Sequence, residues 1–568
     1  MSDIVFVTPN FGGFVREEPI GTLLLGTILR KAGIATDILQ FHHFGDVNCF
    51  DAFVNCAVEK IFAKNPRVVS FYTRCDSYHI SLRIAQRVKA ADPNVYVVFG
   101  GPQADLSAID TISQIPYVDY ICCGEGENTI VPFFTSLIAG TPDHAICGLV
   151  FRKDGQIVQN PRPDLTEDLD ALPAIDYTLL DYKNEGTSTV GKRLFPIDVG
   201  RGCPFSCTYC STKLFWGRKY RLKSAEKIIE EIKYVHNLFG ETSFNFEHDM
   251  FTMNRRKVIE VCQMLKTLDF PITWRCSARL DCIDDELVDI MHDAGMRTIF
   301  LGIESGSPRV QKMINKNLKL DDIPQKLRYI ASKGIHITAS FIFGFPNETE
   351  EDFAQTMALM IDLSTIPGIN LVPNLCAFFP GTELTAQYYD QLEDISTYSN
   401  ATRGIAVMEC QDIIRQNPVL FPHYREYKTE LREKIQYFPK MLINWAAFRP
   451  VYQYLREEYY KDRICDFLYH YSDCNRDLLE TDADKRTLLK NDRIPDKFSD
   501  DEKYPILKDI IRFLMWRNEA NPGDAQVFCF DPEQLTRGVP VANLKIAPTA
   551  AYCQRTESGN LRFAFVRG

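Results

Sequence analysis

Residues 194–210 have the sequence LFPIDVGRGCPFSCTYC, in which an apolar, strand-like run leads into a loop with three cysteines. Strand-like and helical stretches then alternate up to residue 385. Six strand–helix units fit into these roughly 190 residues, whereas a complete eight-fold barrel takes about 250 residues. The pattern predicts a partial barrel of six parallel strands over 194–385. The cysteine loop follows its first strand, and barrels carry their chemistry at the carboxyl ends of strands.

A second series of five strand–helix repeats occupies residues 1–145 and predicts a parallel, doubly wound (Rossmann-like) sheet. Such sheets bind ligands at the carboxyl ends of their strands, although tight turns alone would also explain glycine-rich loops there. No GxGxxG follows the first strand and the chain has no GxxxxGK[ST], so neither a dinucleotide site nor a P-loop is predicted. Four polar or glycine-rich loops follow the strands: PNFGGF (9–14), TRCDSYH (73–79), GGPQ (100–103) and GEGEN (124–128).

The rest of the chain predicts a connector and a third domain. Residues 146–193 contain the hairpin-like GLVFRKDGQIVQN, with Asp154-Gly155 as its turn, and a proline-rich stretch. We expect them to link the first domain to the barrel. Residues 386–568 predict a mainly α C-terminal domain that packs on the barrel. Cys465 and Cys474 in this domain are too few for a second cluster.

Composition and charge narrow the functional class. The 568 residues carry a net charge of −11, which disfavours a nucleic-acid binder held by phosphate contacts. No stretch reaches the roughly 18 apolar residues of a membrane span, and the N-terminus lacks the basic region of a signal peptide. We therefore expect a cytoplasmic enzyme whose 18 cysteines are mostly reduced thiols.

The spacing Cys-x3-Cys-x2-Cys of Cys203, Cys207 and Cys210 permits three interpretations. Structural zinc needs four ligands and usually takes paired CxxC motifs. A redox pair in CTYC needs a thioredoxin-like setting. A four-iron cluster held by three thiolates leaves one iron free for a small molecule, and an all-thiolate site suits iron–sulfur chemistry.

RGCPFSCTYC resembles the cluster motif of the radical S-adenosylmethionine (radical SAM) enzymes, which have an aromatic residue before the last cysteine, here Tyr209. The resemblance extends over about 194–385 through FEHDMFT, WRCSARLD, GIESGS and FIFGFPNETEEDF, although His248 stands where the family usually has Asp. It implies that the three cysteines ligate a 4Fe-4S cluster whose open iron chelates SAM.

The same resemblance implies roles for individual side chains around SAM. Tyr209 would lie near the adenine, and Glu247 near the methionyl amino group. Arg279 would bind the SAM carboxylate as a bidentate donor, and Glu304 would accept hydrogen bonds from the ribose. Gly344 and Phe345 would border the adenine.

The N-terminal domain resembles that of the cobalamin-binding subgroup, through GGPQADL and ICCGEGENTI. The Asp-x-His-x-x-Gly motif that supplies a cobalt ligand in some cobalamin domains does not occur, so no histidine ligand from that motif is expected. The alternative is a domain that keeps the fold without cobalamin. The resemblance implies a cobalamin site made of Asn10, Gly12, Thr73, Arg74, Cys75, Gly100, Gly101, Gly124, Glu125 and Gly126. Of these, Thr73, Arg74 and Cys75 would lie below the corrin.

Three functions are compatible with these motifs. The first is cobalamin-dependent methyl transfer to an unactivated carbon, with a small-molecule, lipid or peptide substrate and a flavodoxin or ferredoxin as reductant. The second is a radical SAM cyclase, mutase or peptide-modifying enzyme of the same architecture that does not methylate. The third is a metal or cobalamin sensor without turnover. S-adenosylhomocysteine beside 5′-deoxyadenosine would distinguish the first from the second.

Overall fold

A computed structural model describes residues 2–11, 19–43, 50–180, 194–364, 366–394 and 404–435, and the backbone of 551–555 and 561–565. Gly12, Cys465, Cys474 and most of the predicted C-terminal domain lie outside the described residues. Among the described helices, none is long and apolar enough to cross a membrane.

The first sheet has seven strands in the order β2-β1-β3-β4-β5-β6-β7. Strands β1 to β5 are parallel, which confirms the predicted doubly wound sheet. Its strands are β1 (Ile4–Phe11), β2 (Thr36–His43), β3 (Val68–Tyr72), β4 (Tyr96–Gly100), β5 (Tyr120–Cys122), β6 (Leu149–Lys153) and β7 (Gln156–Gln159). Its helices are α1 (Ile20–Lys31), α2 (Phe50–Phe62), α3 (Tyr78–Ala91), α4 (Pro102–Leu106), α5 (Ala108–Gln114) and α6 (Ile130–Ile138).

Alternate residues of β1 serve two separate apolar cores, one on each face of the sheet. Ile4 and Phe6 belong to a core that includes residues of α1 and α6, whereas Val5 and Val7 belong to a core with α2, α3 and α5. This is the two-residue period of a strand that is buried on both faces.

The predicted connector takes part in the first sheet. The hairpin β6–β7 pairs antiparallel with β5, so the sheet extends to Gln159. Its turn is the expected Asp154-Gly155, with φ of 51° and 76°. The proline-rich remainder carries Leu169 and Tyr177 into the apolar core that the first domain shares with the barrel.

The second sheet confirms the partial barrel. Six parallel strands lie in the order β15-β14-β13-β12-β11-β8, so each strand pairs with its neighbours along the chain. The strands of this region are β8 (Phe195–Asp198), β9 (Gly200–Arg201), β10 (Arg221–Leu222), β11 (Ser243–Glu247), β12 (Thr273–Ala278), β13 (Met296–Glu304), β14 (His336–Phe343) and β15 (Ile369–Leu375). The helices are α7 (Thr212–Trp216), α8 (Ala225–Phe239), α9 (Arg255–Leu265), α10 (Asp285–Asp293), α11 (Pro308–Met313), α12 (Ile323–Ser332), α13 (Glu350–Ser364) and α14 (Glu383–Tyr388).

The described part of the C-terminal region divides between the two sheets, whereas we expected it on the barrel. Ala406, Cys410 and Phe421 join the core that contains α2 and α3 of the first domain. Arg432 instead reaches the barrel, where it donates to the carbonyl of Gly344. The elements after α14 are β16 (Leu392–Asp394), α15 (Gly404–Glu409), α16 (Gln411–Gln416), β17 (Arg425–Tyr427), α17 (Glu430–Ile435), β18 (Ala551–Arg555) and β19 (Leu561–Phe565).

Candidate functional site

Two glycines shape the start of the cysteine loop. A Cβ at Gly200 would clash with the carbonyl of Arg221, and a Cβ at Gly202 would clash with that of Lys219. Gly202 also has a φ of +88°, which favours glycine. Both positions lie at the antiparallel pair β9–β10, which closes the loop at its base.

The three cysteines fit the donor set of a four-iron cluster. Cys203, Cys207 and Cys210 are free thiols; Cys207 is buried and the other two are partly buried. Burial raises the pKa of Cys203 to about 11 and also raises that of Cys210. Iron binding would therefore displace protons from these thiols.

Neighbouring elements hold the cysteine loop from both sides. The Thr208 amide donates to the carbonyl of Ile314 at 3.1 Å, and the Asn315 amide group donates to the carbonyl of Ser206 at 3.1 Å. Asp249 accepts from the Gly202 amide at 3.0 Å. The loop is thus fixed by backbone and side-chain contacts of other barrel segments.

Arg279 lies against the cysteine loop, but its guanidinium already has a carboxylate partner. It donates to Asp281 at 2.9 and 2.8 Å, lies 3.8 Å from the ring centre of Phe205, and is 3.9 Å from Cys207 Sγ. Burial opposes its charge, but Asp281 outweighs burial and raises the pKa of Arg279. A SAM carboxylate would have to compete with Asp281 for this group.

Glu304 forms a buried ion pair that sequence analysis did not predict. Its carboxylate lies 2.7 Å from Lys316 Nζ, and both side chains are buried. Glu304 has a φ of +69°, an uncommon conformation for a non-glycine residue. A Cβ at Gly302 would clash with Glu304 Oε1 and lie 2.7 Å from Lys316 Nζ, so glycine leaves space for the pair.

Lys316 connects two predicted residues of the site. Its ammonium meets Glu304, and its carbonyl accepts from Arg279 at 2.7 Å. Its neighbours Asn315 and Asn317 both have a φ of 55°. The sequence Asn-Lys-Asn, with two residues that tolerate the left-handed conformation, is the signal that could have indicated a tight turn here.

The predicted adenine-side residues form one contiguous group. Burial, followed by the nearby Glu304 carboxylate, raises the pKa of Tyr209. The ring centres of Tyr209 and Phe345 are 6.0 Å apart. Gly344, at a φ of +75°, precedes Phe345 and packs against Arg432.

The Glu348 carboxylate stabilises the turn at Gly344 and Phe345 through hydrogen bonds. One carboxylate oxygen accepts from the amides of Gly344 and Phe345 at 2.5 and 3.1 Å, while the other is buried without a hydrogen-bond partner. Burial raises the pKa of Glu348 to about 8. A neutral carboxylic acid therefore lies beneath the predicted adenine-binding turn at pH 7.

Glu247 and His248 have different surroundings. Glu247 is exposed at the end of β11 and accepts a hydrogen bond from Asn245. His248 is buried, accepts from the Met250 amide at 2.8 Å and donates to the carbonyl of Arg221 at 3.2 Å. Burial lowers its pKa to about 4, so it is a neutral structural residue.

The cobalamin-side residues lie at the carboxyl edge of the first sheet. Thr73 is buried, and its hydroxyl donates to the Gly100 carbonyl at 2.9 Å and accepts from the Ala104 amide at 3.0 Å. Gly101 has a φ of +89°, and a Cβ there would lie 2.9 Å from the Thr73 carbonyl. Thr73 therefore joins the loops after β3 and β4, and its hydroxyl hydrogen is already used by the Gly100 carbonyl.

Arg74 brings the two sheet edges together electrostatically. Burial lowers the pKa of Arg74, but Asp76 outweighs this effect. Cys75 of the same loop and Glu247 of the barrel raise the pKa further. Arg74 donates to Asp76 at 2.7 Å. Glu247 also raises the pKa of the buried Tyr72. The carboxyl edges of the two sheets face each other, since Glu125 after β5 pairs with Arg201 and Arg221 of the barrel.

The C-terminal segment holds the loop that contains Cys75. His423 and Tyr424 donate to the Cys75 carbonyl at 3.1 and 3.4 Å. Tyr424 also contacts His79 at 3.1 Å. Burial raises the pKa of Cys75 to about 12, so its thiol is protonated at neutral pH.

The loop after β5 combines backbone freedom with a buried carboxylate. Gly124 has a φ of +78° and donates to Asp105 at 3.0 Å, and Gly126 packs on Leu25. Glu125 instead pairs with arginines of the barrel. The side chain of Asn10 and all of Gly12 lie outside the described residues.

Two family models match this chain, one in each of its two α/β domains. Residues 197–360 match the radical SAM superfamily, and residues 15–133 match the B12 binding domain. The chain combines a radical SAM domain with a B12-binding domain. Its cofactors are a 4Fe-4S cluster, SAM and cobalamin, so the family supports the iron–sulfur interpretation of the cysteine loop.

Two relatives show the range of activities in related chains. An uncharacterized methyltransferase of Pyrococcus horikoshii is 29% identical over 379 residues, which cover 64% of this chain and 77% of that protein. An anaerobic magnesium-protoporphyrin IX monomethyl ester cyclase of Rubrivivax gelatinosus is 27% identical over 370 residues, covering 63% of this chain and 65% of that protein.

Two solved structures share the fold. The radical SAM methyltransferase TsrM from Kitasatospora setae, with cobalamin and a [4Fe-4S] cluster bound, has a TM-score of 0.54 at 17% identity and covers 69% of this chain and 75% of its own. The cobalamin-dependent radical SAM enzyme OxsB, with aqua-cobalamin and SAM bound, has a TM-score of 0.57 at 13% identity, covering 94% of this chain and 82% of its own.

Proposed function

We propose that this enzyme transfers a methyl group from SAM, by way of cobalamin, to an unactivated carbon of a small-molecule, lipid or peptide substrate. The observation that carries the proposal is the opposition of the two carboxyl edges, where Glu125 after β5 pairs with Arg201 and Arg221 of the barrel at 2.6 and 2.9 Å. The name of the Pyrococcus horikoshii relative adds support for methyl transfer.

The residues of the chain have separate tasks in this proposal. Cys203, Cys207 and Cys210 would hold the cluster, and Tyr209 and Phe345 would border the SAM adenine. When bound, the cluster and SAM supply a 5′-deoxyadenosyl radical, and cobalamin carries the methyl group.

Glu304 is suited to accept hydrogen bonds from the ribose, since its carboxylate is buried and held by Lys316 at 2.7 Å. A carboxylate fixed in this way keeps its orientation without further ordering when SAM binds. Arg279 lies at the cluster side of the same pocket and is shared between Asp281 and a SAM carboxylate in this proposal.

The test is a product analysis under anaerobic conditions. The protein is reconstituted with iron, sulfide and hydroxocobalamin, and unbound cofactor is removed. It is then reduced and supplied with SAM that carries a trideuterated methyl group. We expect about one S-adenosylhomocysteine per bound cobalamin even without substrate, together with 5′-deoxyadenosine. 5′-Deoxyadenosine without S-adenosylhomocysteine would reject methyl transfer.

A non-methylating reaction is the second candidate, because one of the relatives described above is named a cyclase. In that case radical formation would proceed at a rate independent of cobalamin methylation. Omitting hydroxocobalamin from the reconstitution separates the two candidates: methyl transfer requires it for S-adenosylhomocysteine formation. A flavodoxin or ferredoxin as electron donor, and the substrate itself, are further parts of the proposal.

A further inference from the structure

A buried ion network joins the loop after β5 to the first residues of the cysteine loop. Glu125 Oε1 accepts from Arg201 at 2.6 Å and from Arg221 at 2.9 Å, and its Oε2 accepts from Arg221 at 2.9 Å and from the Thr166 amide at 2.6 Å. The side chains of Glu125 and Arg221 are 3% and 5% exposed, so solvent does not screen the contacts.

Arg201 is the residue through which this network reaches the cluster. It precedes Gly202 and Cys203 directly, and its second nitrogen lies 2.7 Å from Glu127 and 3.8 Å from Asp198. Burial opposes its charge, but these carboxylates outweigh burial and raise the pKa of Arg201. The cation therefore stays charged between two acidic residues of the first domain and one of the barrel.

The aromatic ring of Trp216 lies close to both arginines of the network. The guanidinium carbons of Arg201 and Arg221 lie 5.7 and 5.5 Å from its centre. Both arginines also belong to the antiparallel pair β9–β10, which closes the base of the loop. One carboxylate thus fixes both strands of that pair.

We propose that Glu125 positions the cysteine loop against the cobalamin-binding domain, through Arg201 and Arg221, and does not bind cobalamin itself. Its carboxylate accepts four hydrogen bonds from protein groups: one from Arg201, two from Arg221 and one from the Thr166 amide. These fill the roughly four acceptor sites of a carboxylate. The inference rests on the cofactors of the family and is independent of the proposed methyl transfer.

Two variants test the two ends of the network in the full chain, reconstituted with iron, sulfide and hydroxocobalamin. Glu125→Gln keeps the shape and removes the charge, while Arg201→Lys keeps the charge and loses the two-nitrogen fork. Glu167→Gln is the matched control, since Glu167 pairs with Lys219 of the same loop region but both side chains are exposed.

The readouts separate positioning from cofactor contact. Iron content and the dissociation constant of hydroxocobalamin should stay within about twofold of the wild-type values, since other residues hold both cofactors in this proposal. The electron paramagnetic resonance spectrum of the reduced cluster should lose its response to SAM at a fixed concentration, with an apparent SAM affinity lowered about 10- to 100-fold. Glu167→Gln should behave as wild type.

Three results would overturn the inference. One is a cobalamin affinity lowered about tenfold or more in Glu125→Gln with an unchanged cluster spectrum, which would make Glu125 a cofactor contact. Another is an unchanged affinity and spectrum in both variants. The third is a spectral change in Glu125→Gln that Arg201→Lys does not reproduce. If Glu125→Gln fails to fold, Arg201→Lys is judged by the same spectral and affinity criteria.

Discussion

The carboxyl edges of the two sheets use their predicted residues in different ways. At the barrel edge, the ring of Tyr209 lies beside that of Phe345 and the charge of Glu304 raises the pKa of Tyr209, so the predicted SAM residues form one group. At the edge of the first sheet, Thr73 and Glu125 are occupied by protein partners. A motif whose spacing is set by a reaction identifies the side chains that take part in it. A glycine-rich loop identifies only a place where a ligand can approach the backbone.

Removal of the cluster ligands should have the largest effect, because it abolishes cofactor binding at the barrel edge and leaves the edge of the first sheet intact. A Cys203→Ala/Cys207→Ala/Cys210→Ala variant should lose essentially all of the about four irons per chain and all SAM cleavage, while hydroxocobalamin still binds. Iron quantification and a visible spectrum measure this. The exposed pair Cys56→Ala/Cys147→Ala is the control, and iron retained in the triple variant would contradict the assignment.

Gly302→Ala should break the barrel edge more selectively. The added methyl group would displace the ends of the Glu304 and Lys316 side chains and so change the geometry of the buried ion pair. We expect SAM affinity, measured by equilibrium dialysis, to fall about tenfold or more with iron content retained. Gly21→Ala meets nothing within 4 Å and should leave affinity unchanged. Wild-type affinity in Gly302→Ala would show that the pair does not shape the SAM pocket.

Arg74→Gln addresses the edge of the first sheet and should have a smaller effect. Its side chain is 35% exposed and partly screened, so we expect hydroxocobalamin affinity to fall about threefold to tenfold. Arg87→Gln, which loses an exposed contact to Asp51, is the control. Dialysis against labelled hydroxocobalamin gives both constants, and equal affinities in the two variants would remove Arg74 from the cobalamin site.

The smallest effect concerns Glu348 and the pH dependence of stability. Its pKa in the folded protein is about 8, above the ordinary 4.5, so the folded state keeps a proton that the unfolded state releases. Stability should therefore fall as pH rises from about 4.5 to about 8. Glu348→Gln stays neutral, and its melting temperature relative to wild type should rise over this range. The exposed Glu351→Gln provides the control; parallel curves for wild type and Glu348→Gln would contradict the assignment.

Local sequence signals were sufficient for the parallel strands of both sheets. Apolar runs such as IVFVTP and FPID gave the buried strands, and Asp154-Gly155 gave the turn of a hairpin. The sheet to which that hairpin belongs was missed, because pairing of β6 with β5 is decided by a neighbouring strand rather than by the hairpin's own sequence.

The candidate site was predictable where chemistry fixes spacing. The three cysteines need close positions on one loop, and this requirement is visible in the chain. Lys316 was missed, because its pairing with Glu304 depends on the left-handed backbone of Glu304 and on the space left by Gly302. Arg201 and Arg221 were missed for a similar reason: their partner Glu125 lies in another domain.

The return of the C-terminal segment to the first domain has a consequence for synthesis. His423 donates to the carbonyl of Cys75, a residue 348 positions earlier, and Phe421 completes an apolar core begun by β1 and α2. At about 5–20 residues per second, a ribosome would need on the order of 20 to 70 s to supply this last piece. The first domain must therefore wait, with part of its core open to solvent, while the whole barrel emerges.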